Sequence, residues 1–324
     1  MIPVEKVQPP NIQNSPVFVL AGPTAIGKTE LALTLAEEFN GEIIGMDSMQ
    51  IYKHLDIGTA KPTKDERARV PHHLVDYVDP AEEYSAARFI KDCAKAVEQI
   101  RSRGRIPMMV GGTGLYMKTF FEGVCELPKI DQQIRQQLLE EIDRKGTSVL
   151  YAELLECDPV SADRIHTNDT SRLVRALEIF RGTGIPWSSF IDQHRLAKEK
   201  AKSEGTMPLK ICLKRDRNEL YERINQRVDI MIDQGLLQEV ENLLAMGYEP
   251  GLNSMQSLGY RHMINFIQKN WSWQQTKELL ARDTRRYAKR QLTWFTRDQE
   301  MVWYRPDQQN EIFTKVTRYL ESTS

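Results

Sequence analysis

The chain has 324 residues, which is enough for one large domain or two unequal ones and for a sizeable apolar core. Hydrophobic residues make up 40% of the chain and charged residues 27%, which are ordinary values for a soluble globular protein. The formal net charge is −1, so a polyanionic partner would have to be bound by a local cluster of cations, not by the charge of the whole protein.

The cysteines and the N-terminal segment exclude several protein classes. No two cysteines form a CxxC pair, so the sequence favours reduced thiols over a disulfide framework or a zinc site. Residues 1–15 are polar, contain three prolines and lack the apolar region of a signal peptide. No apolar run reaches 18 residues, so no membrane span is predicted. We therefore expect a cytoplasmic protein with a flexible tail at 1–15.

The first third of the chain alternates between short apolar runs and amphipathic segments. This alternation is typical of a parallel α/β sheet. The predicted elements are a strand at 17–21, a helix at 29–39, a strand at 42–46, a helix at 85–103 and a strand at 106–110.

The pattern changes after about residue 120. Helical segments without a convincing strand occupy 131–202, and the clearest of them lies at 170–181. The α/β pattern then returns in elements that we place as a strand at 209–213, helices at 218–234, 236–246 and 274–298, and a candidate strand at 302–304.

Residues 22–29 form a phosphate-binding motif. They read Gly-Pro-Thr-Ala-Ile-Gly-Lys-Thr, match G-x-x-x-x-G-K-[ST], follow a predicted strand and open a predicted helix. Glycines let backbone N–H groups curl round an anion, and the N-terminus of a helix adds partial positive charge. Lys28 supplies a full charge and the Thr29 hydroxyl can bind Mg²⁺. The alternative is a strand-to-helix turn that is glycine-rich by chance.

Nucleotide binding is the usual role of such a loop. Nucleotide-hydrolysing enzymes usually carry a magnesium-binding Asp at the end of a later strand. The strand at 106–110 ends instead in Gly111 and Gly112. The loop therefore also suits a diphosphate that is not part of a nucleotide.

Several sequence strings resemble one family. In order along the chain they are 22–29, Asp-Ser-Met-Gln-Ile-Tyr at 47–52, Asp-Ile-Gly-Thr-Ala-Lys-Pro at 56–62, Val-Gly-Gly-Thr-Gly-Leu-Tyr at 110–116, Ser-Leu-Gly-Tyr-Arg at 257–261 and Lys-Arg-Gln-Leu-Thr-Trp-Phe at 289–295. Together they resemble the bacterial tRNA dimethylallyltransferases, also called tRNA isopentenyltransferases. The resemblance covers most of the chain. Its most specific part is the string at 56–62 together with the second glycine loop, Gly111-Gly112-Thr113-Gly114.

The resemblance implies an alkyl transfer from dimethylallyl diphosphate to the N6 amine of a tRNA adenosine. It implies that Asp47 is the general base, a role that suits a carboxylate at the carboxyl end of a strand. Capping of a turn is the alternative role for Asp47. The resemblance also implies that Thr24 and Arg227 are catalytic, and arginine suits this because its planar fork binds phosphate oxygens. The alternative for Arg227 is a surface ion pair with Glu222 or Asp229.

The resemblance assigns the remaining site residues in two groups. The diphosphate is held by Gly22, Pro23, Thr24, Ala25, Ile26, Gly27, Lys28 and Thr29, with Thr29 on Mg²⁺. The tRNA is contacted by Asp47, Ser48, Met49, Gln50, Thr113, Ser171, Arg172, Arg175, Gln256, Gly259, Tyr260, Arg261, Lys289, Arg290, Gln291, Thr293 and Trp294.

A basic stripe gives independent support for a nucleic-acid partner. Cations spaced as neighbours on one helix face are typical of a phosphate-backbone contact, although a solvated helix face is the alternative. The stripe lies within the predicted helix at 274–298 and consists of Arg282, Arg285, Arg286, Lys289, Arg290 and Arg297.

We therefore predict a P-loop NTPase-like parallel α/β core with a helical insertion domain. The core spans 16–122 and 205–324 with C-terminal helices, and the tRNA-binding insertion spans 123–204. No cysteine follows Cys212, which favours the bacterial form over eukaryotic members with a C-terminal zinc finger. We expect a monomer whose partners are dimethylallyl diphosphate, Mg²⁺ and the tRNA anticodon stem-loop, without a membrane.

The predicted product carries the dimethylallyl group on the adenosine 3′ to the anticodon, adenosine 37, which must be flipped out of its stack to react. Three alternatives remain open from the sequence. They are a P-loop small-molecule kinase, a prenyltransferase acting on free AMP, and a nucleic-acid-binding protein with the loop as a nucleotide switch.

Overall fold

A single parallel sheet organises the larger part of the chain. The computed structural model describes residues 17–125, 127–128, 130–201 and 208–323, so the predicted tail at 1–15 lies outside the described residues. The strands are arranged in the order β3-β2-β4-β1-β5-β6, and every pair is parallel. They are β1 (Phe18–Ala21), β2 (Gly41–Met46), β3 (His72–His73), β4 (Ile106–Gly111), β5 (Leu209–Leu213) and β6 (Val302–Tyr304).

Helices alternate with these strands and then dominate the middle and the end of the chain. Those described are α1 (Lys28–Glu38), α2 (Lys64–Arg69), α3 (Ala86–Ser102), α4 (Gly114–Glu122), α5 (Gln132–Lys145), α6 (Thr147–Cys157), α7 (Pro159–Arg164), α8 (Thr170–Thr183), α9 (Trp187–Ala201), α10 (Arg217–Asp233), α11 (Leu236–Ala245), α12 (Tyr260–Ile267), α13 (Trp273–Phe295) and α14 (Gln309–Glu321).

The register of the sheet fixes which loops meet. Ala21 at the end of β1 lies opposite Gly111 of β4 and Cys212 of β5, and Met46 at the end of β2 also lies opposite Gly111. Because all strands run in the same direction, the loops after β1, β2, β4 and β5 leave the sheet at one edge. Ligands of open α/β sheets bind at this carboxyl edge.

Both faces of the sheet are covered by apolar side chains. Phe18 and Leu20 of β1 belong to one core cluster, and Val19 and Ala21 belong to another. All four side chains are fully buried, as expected for a central strand that is covered on both faces. The continuous apolar run of β1 in the sequence therefore reflects burial on both sides of the sheet.

The chain divides into two compact units. One comprises Pro10–Phe121 and Gly205–Ser324 and contains the sheet, whereas the other falls within Glu122–Glu204 and is helical in its described residues. The helical unit has its own core, in which Leu138 of α5, Leu150 of α6 and Leu173 of α8 are fully buried.

The sequence predictions of the main elements are confirmed within one to three residues at their ends. The P-loop-like α/β fold class is also confirmed. The predicted helix at 274–298 ends earlier, at Phe295. Elements that the sequence reading missed are α2, β3, α4, α12 and α14.

The missed elements have identifiable physical causes. Helix α2 has six residues and buries none of them, so it carries no apolar period, although Thr63 and Glu66 form a capping box. Helix α4 begins at Gly114, a residue that disfavours helix in isolation. In the part of the chain that the structure describes, no helix has both the length and the hydropathy required to cross a membrane.

Candidate active site

A crevice of about 610 Å³ opens at the carboxyl edge of the sheet. All of its lining residues belong to the unit that contains the sheet. The loop after β1 contributes Lys28, the segment after β2 contributes Asp47, the loop after β4 contributes Gly112, and α10 contributes Arg227. The crevice thus brings together residues that are far apart in the sequence.

The phosphate loop is held open by hydrogen bonds to its carbonyl groups. Ala25 and Gly27 adopt left-handed backbone conformations, with φ of 62° and 103°. The carbonyl of Ala25 accepts a hydrogen bond from Arg223 Nε at 2.9 Å, and that of Ile26 accepts one from Arg215 Nε at 3.1 Å. Because side chains satisfy these carbonyls, the loop is kept in a curled form at the start of α1, which suits anion binding.

The side chain of Lys28 folds back on the phosphate loop. Its Nζ donates hydrogen bonds to the carbonyls of Gly22 at 2.9 Å and Pro23 at 2.8 Å. The side chain as a whole is half-buried, but its ammonium lies among protein groups, and this burial lowers its pKa to about 8. The charge of Arg227 lowers the pKa further, whereas the charge of Asp47 raises it. An anion in the crevice would stabilise the protonated form.

Asp47 both caps a turn and faces the crevice. Its Oδ1 accepts hydrogen bonds from the backbone N–H groups of Met49 at 2.9 Å and Gln50 at 3.3 Å. Its Oδ2 makes no hydrogen bond with any described residue. The two roles that the sequence left open for Asp47 are therefore compatible, since one oxygen holds the turn and the other remains available.

Arg227 is a desolvated cation in the crevice. Burial lowers the pKa of its guanidinium, the charge of Asp47 raises it and the charge of Arg223 lowers it. It forms no ion pair with any described residue, and so it pairs with neither Glu222 nor Asp229. Two desolvated cations, Lys28 and Arg227, thus face one carboxylate, and this excess positive charge favours an anionic ligand.

The loop after β4 lies against the segment that carries Asp47. The backbone N–H of Thr113 donates to the carbonyl of Met46 at 3.1 Å, and the Thr113 hydroxyl accepts from the N–H of Ser48 at 3.1 Å. A Cβ atom at Gly111 would come within 2.0 Å of the Met46 carbonyl oxygen. Only glycine therefore permits this separation of β2 and β4.

The string at 56–62 is a scaffold for the segment after β2. Glu239 of α11 accepts hydrogen bonds from the N–H groups of Asp56 at 3.1 Å, Ile57 at 2.8 Å and Gly58 at 3.1 Å. It also accepts one from the hydroxyl of Tyr260 at 2.6 Å. Tyr260 is fully buried, so the structure places this predicted tRNA contact inside the core.

Gln291 is a second predicted tRNA contact that the structure places in the interior. It is 6% exposed, and its amide oxygen accepts from the N–H of Thr24 at 3.0 Å while its amide nitrogen donates to the carbonyl of Gly112 at 2.9 Å. Both ends of the amide are therefore occupied by the protein.

The basic stripe is partly neutralised within the protein. Asp283 forms ion pairs with Arg261 at 3.0 Å, Arg282 at 3.0 Å and Arg286 at 3.7 Å. Arg285 Nη1 donates to the side chain of Asn225 at 2.6 Å. These side chains of the basic stripe therefore have partners within the protein, and the predicted contact of the stripe with a phosphate backbone stays a prediction. Besides Arg285, three members of the stripe form no ion pair with any described residue, and they are Lys289, Arg290 and Arg297.

The other predicted tRNA contacts are distributed over both units. Ser48, Met49, Gln50, Gly259, Arg261 and Arg290 line the crevice. Gln256 and Thr293 are exposed outside its lining, and Trp294 packs on Gly114. At the start of α8 in the helical unit, Ser171 is exposed, Arg172 pairs with Asp169 at 2.7 Å, and Arg175 pairs with Glu178 at 3.2 Å.

Three residues at or next to the crevice were missed in the sequence. Arg215 and Arg223 donate hydrogen bonds to carbonyls of the phosphate loop, and Arg223 and Tyr287 of α13 line the crevice. Burial raises the pKa of the Tyr287 hydroxyl, and the charge of Asp47 raises it further, so the phenol stays protonated. Arg223 and Arg227 are four residues apart in α10 and therefore lie on the same helix face. This spacing is the one sequence signal that could have identified Arg223.

The donor set at the phosphate loop suits Mg²⁺. The Thr29 hydroxyl lines the crevice and forms no hydrogen bond with any described residue. Among the described residues no cluster of three His, Cys, Asp or Glu side chains could hold a metal ion. Mg²⁺ is commonly bound by one or two protein groups together with substrate phosphates and water, which is what this loop offers.

The fold and the crevice define a class: parallel α/β proteins with a glycine-rich loop between β1 and α1 that suits an anion, near a carboxylate with one oxygen free of hydrogen bonds to described residues. Two family models match this chain, the IPP transferase model over residues 50–298 and the isopentenyl transferase model over residues 15–76. The chain belongs to the IPP transferase family. The resemblance drawn from its motifs is thereby confirmed.

Individual relatives agree with this assignment. The tRNA dimethylallyltransferase of Desulfotalea psychrophila is 49% identical over 306 residues, which are 94% of this chain and 96% of the relative. That of Thermotoga petrophila is 45% identical over 288 residues, which are 89% of this chain and 92% of the relative.

Two solved structures are similar in fold. The tRNA isopentenylpyrophosphate transferase of Bacillus halodurans is 35% identical and has a TM-score of 0.67, covering 95% of this chain and 97% of its own. A eukaryotic dimethylallyltransferase acting on tRNA is 32% identical and has a TM-score of 0.68, covering 86% of this chain and 70% of its own.

The lowered pKa of Lys28 leads to a prediction about proton uptake. In the free protein burial lowers the Lys28 pKa to about 8. A bound anion would raise this pKa because it stabilises the protonated form. Below pH 8 Lys28 is already protonated, so binding of inorganic diphosphate with Mg²⁺ should be tightest there. Above pH 8 a proton must be added on binding, so affinity should fall as pH rises.

Calorimetry in buffers of different ionisation enthalpy measures this uptake. Lys28→Arg is the matched control because arginine keeps the charge but does not titrate in this range. The wild type should take up more protons than Lys28→Arg between pH 8 and 9. Equal uptake by the two proteins would show that Lys28 does not titrate on binding.

Proposed function

We propose that this protein transfers a dimethylallyl group from dimethylallyl diphosphate to N6 of the adenosine 3′ to the anticodon, adenosine 37, in tRNA. The observation that carries the proposal is the crevice, in which a phosphate loop with two desolvated cations faces the free oxygen of Asp47. The tRNA dimethylallyltransferases among the relatives support the choice of substrates.

The chemistry follows from the charges in the crevice. The N6 nitrogen attacks the allylic carbon, the bond from that carbon to the diphosphate oxygen breaks, and the electron pair leaves with diphosphate. Asp47 Oδ2 accepts the N6 proton, since Oδ1 is occupied by the turn. Lys28 and Arg227 stabilise the negative charge that develops on the leaving group.

The phosphate loop holds the donor in this proposal. Residues Gly22–Thr29 bind the diphosphate, and Thr24 lies in the part of the loop that Gln291 fixes. The Thr29 hydroxyl would hold Mg²⁺, which supplies further charge neutralisation on the diphosphate when bound. We also propose that the enzyme acts as a monomer. A tRNA substrate further supports action in the cytoplasm.

A cationic surface beside the crevice supports a tRNA acceptor over free AMP. Lys289 and Arg290 are exposed on α13, and neither forms an ion pair with a carboxylate of the described residues. Arg290 also lines the crevice. Strand β4 ends at Gly111 and is followed by Gly112, at a position where a magnesium-binding Asp would support a kinase. A tRNA adenosine would reach Asp47 by leaving its stack, as enzymes that act on a base generally require.

Offering different acceptors tests the proposed function. Labelled dimethylallyl diphosphate and Mg²⁺ are mixed with the wild-type protein and tRNA, AMP or ATP in parallel. The label should enter tRNA, and nucleoside analysis should place it on N6 of adenosine 37. Labelled AMP would favour the free-nucleotide prenyltransferase, and ATP consumption without transfer of label would favour a kinase.

Replacement of Asp47 by asparagine tests the general base. Asp47→Asn keeps an oxygen for the turn with Met49 and Gln50 but cannot accept a proton as a carboxylate does. Single-turnover transfer should fall by roughly 10²- to 10⁴-fold. The loss should appear in kcat and kcat/KM together, with donor and tRNA affinity little changed. Transfer at the wild-type rate would remove Asp47 from the role of base.

Salt titration tests the cationic surface of α13. The Lys289→Ala/Arg290→Ala variant should reduce the slope of log K for tRNA against log salt by roughly 2, because two phosphate contacts no longer release counterions. The control is Lys315→Ala/Arg318→Ala on α14, which removes the same charge from exposed positions outside the crevice. Equal slopes for the two double variants would show that the α13 cations are only solvated.

A further inference from the structure

Gln291 joins two loops that the sequence separates widely. Its amide oxygen binds the N–H of Thr24, 267 residues away, and its amide nitrogen binds the carbonyl of Gly112, 179 residues away. Thr24 lies in the phosphate loop after β1, and Gly112 lies in the loop after β4. The side chain is buried, so the two hydrogen bonds are formed without competition from solvent.

The loop after β4 also links Gln291 to the segment that carries Asp47, the proposed general base. Gly112 is followed by Thr113, whose N–H donates to the carbonyl of Met46 and whose hydroxyl accepts from the N–H of Ser48. Met46 and Ser48 flank Asp47. A chain of hydrogen bonds and short backbone segments therefore runs from the phosphate loop, through Gln291 and the loop after β4, to the segment that carries Asp47.

The side-chain amide of Gln291 packs so closely on Gly112 that no larger residue fits at position 112. A Cβ atom at Gly112 would lie 2.2 Å from Gln291 Nε2, a separation that the packed amide cannot tolerate. The primary amide of Gln291 donates at one end and accepts at the other in this position. A glutamate would set a carboxylate oxygen against the Gly112 carbonyl, and a leucine would leave the Thr24 N–H and that carbonyl unpaired.

We propose that Gln291 is a positioning residue that fixes the distance between the phosphate loop and Asp47. The proposal rests on the proposed function, in which the donor lies at the loop and the acceptor N6 lies at Asp47. Alkyl transfer in line with the leaving diphosphate depends on this separation, and a misplacement of about 1 Å can cost on the order of 10²-fold in rate. The side chain acts through the loops and not through contact with tRNA.

The test uses Gln291→Leu and Gly112→Ala, which break the same connection from opposite sides. Gln274→Leu is the matched control because Gln274 is an exposed, hydrogen-bonded glutamine on the same helix. Single-turnover transfer at saturating donor and tRNA should fall by roughly 10- to 100-fold in each of the first two variants. The tRNA affinity should stay within about twofold, because no contact with tRNA is removed.

Thermal unfolding and the double variant separate positioning from stability. Each rate is measured below the unfolding transition of that variant, and Gln291→Leu/Gly112→Ala should be no slower than the slower single variant, since both changes act through one contact. A wild-type rate per folded molecule in both single variants, or multiplicative rate losses in the double variant, would overturn the proposal. A wild-type protein that transfers no allyl group would instead overturn the proposed function.

Discussion

The parallel pairing of β4 with both β1 and β2 is the constraint on which the site depends. This pairing places Ala21, Met46 and Gly111 side by side at the carboxyl edge. The phosphate loop, the Asp47 segment and the loop after β4 each start from one of these residues. Antiparallel pairing of any of these strands would send its loop to the opposite edge. The close approach of Gly111 to the Met46 carbonyl keeps β2 and β4 in contact at this point.

Electrostatics give this edge its chemical character. Burial disfavours the charged forms of Lys28 and Arg227 and therefore lowers the pKa of both side chains. Such groups are stabilised by an anion that replaces their lost water. Asp47 offsets part of this cost and also keeps one oxygen free of hydrogen bonds to described residues. Within the proposed function, the same arrangement binds the diphosphate and accepts the proton from N6.

Sequence reasoning identified the crevice residues whose position depends on local order along the chain. Lys28 and Thr29 were predicted because a glycine loop between a strand and a helix has one well-understood use. Asp47 was predicted because it follows a buried strand, although the resemblance supplied its role as a base. The helices described within residues 131–201 were predicted from the apolar stripe at 170–181 and the lack of a strand pattern.

Contacts between distant segments escaped sequence reasoning. Glu239 binds the N–H of Gly58 across 181 residues, and Gln291 binds Thr24 across 267, so no local pattern indicates either pair. Tyr260 and Gln291 lie in strings that resemble tRNA-contact segments, yet the structure buries both. The sequence also does not reveal that Asp283 pairs with Arg261 and Arg282.

The central claim is that donor and acceptor meet between the phosphate loop and Asp47. A crystal structure of the protein with inorganic diphosphate, Mg²⁺ and a tRNA anticodon stem-loop measures this most directly. We predict diphosphate on the N–H groups of the phosphate loop, Lys28 Nζ moved from the carbonyls of Gly22 and Pro23 to a phosphate oxygen, and the adenine N6 within hydrogen-bonding distance of Asp47 Oδ2. Diphosphate bound outside the loop, or an adenine whose N6 lies away from Asp47, would contradict the account.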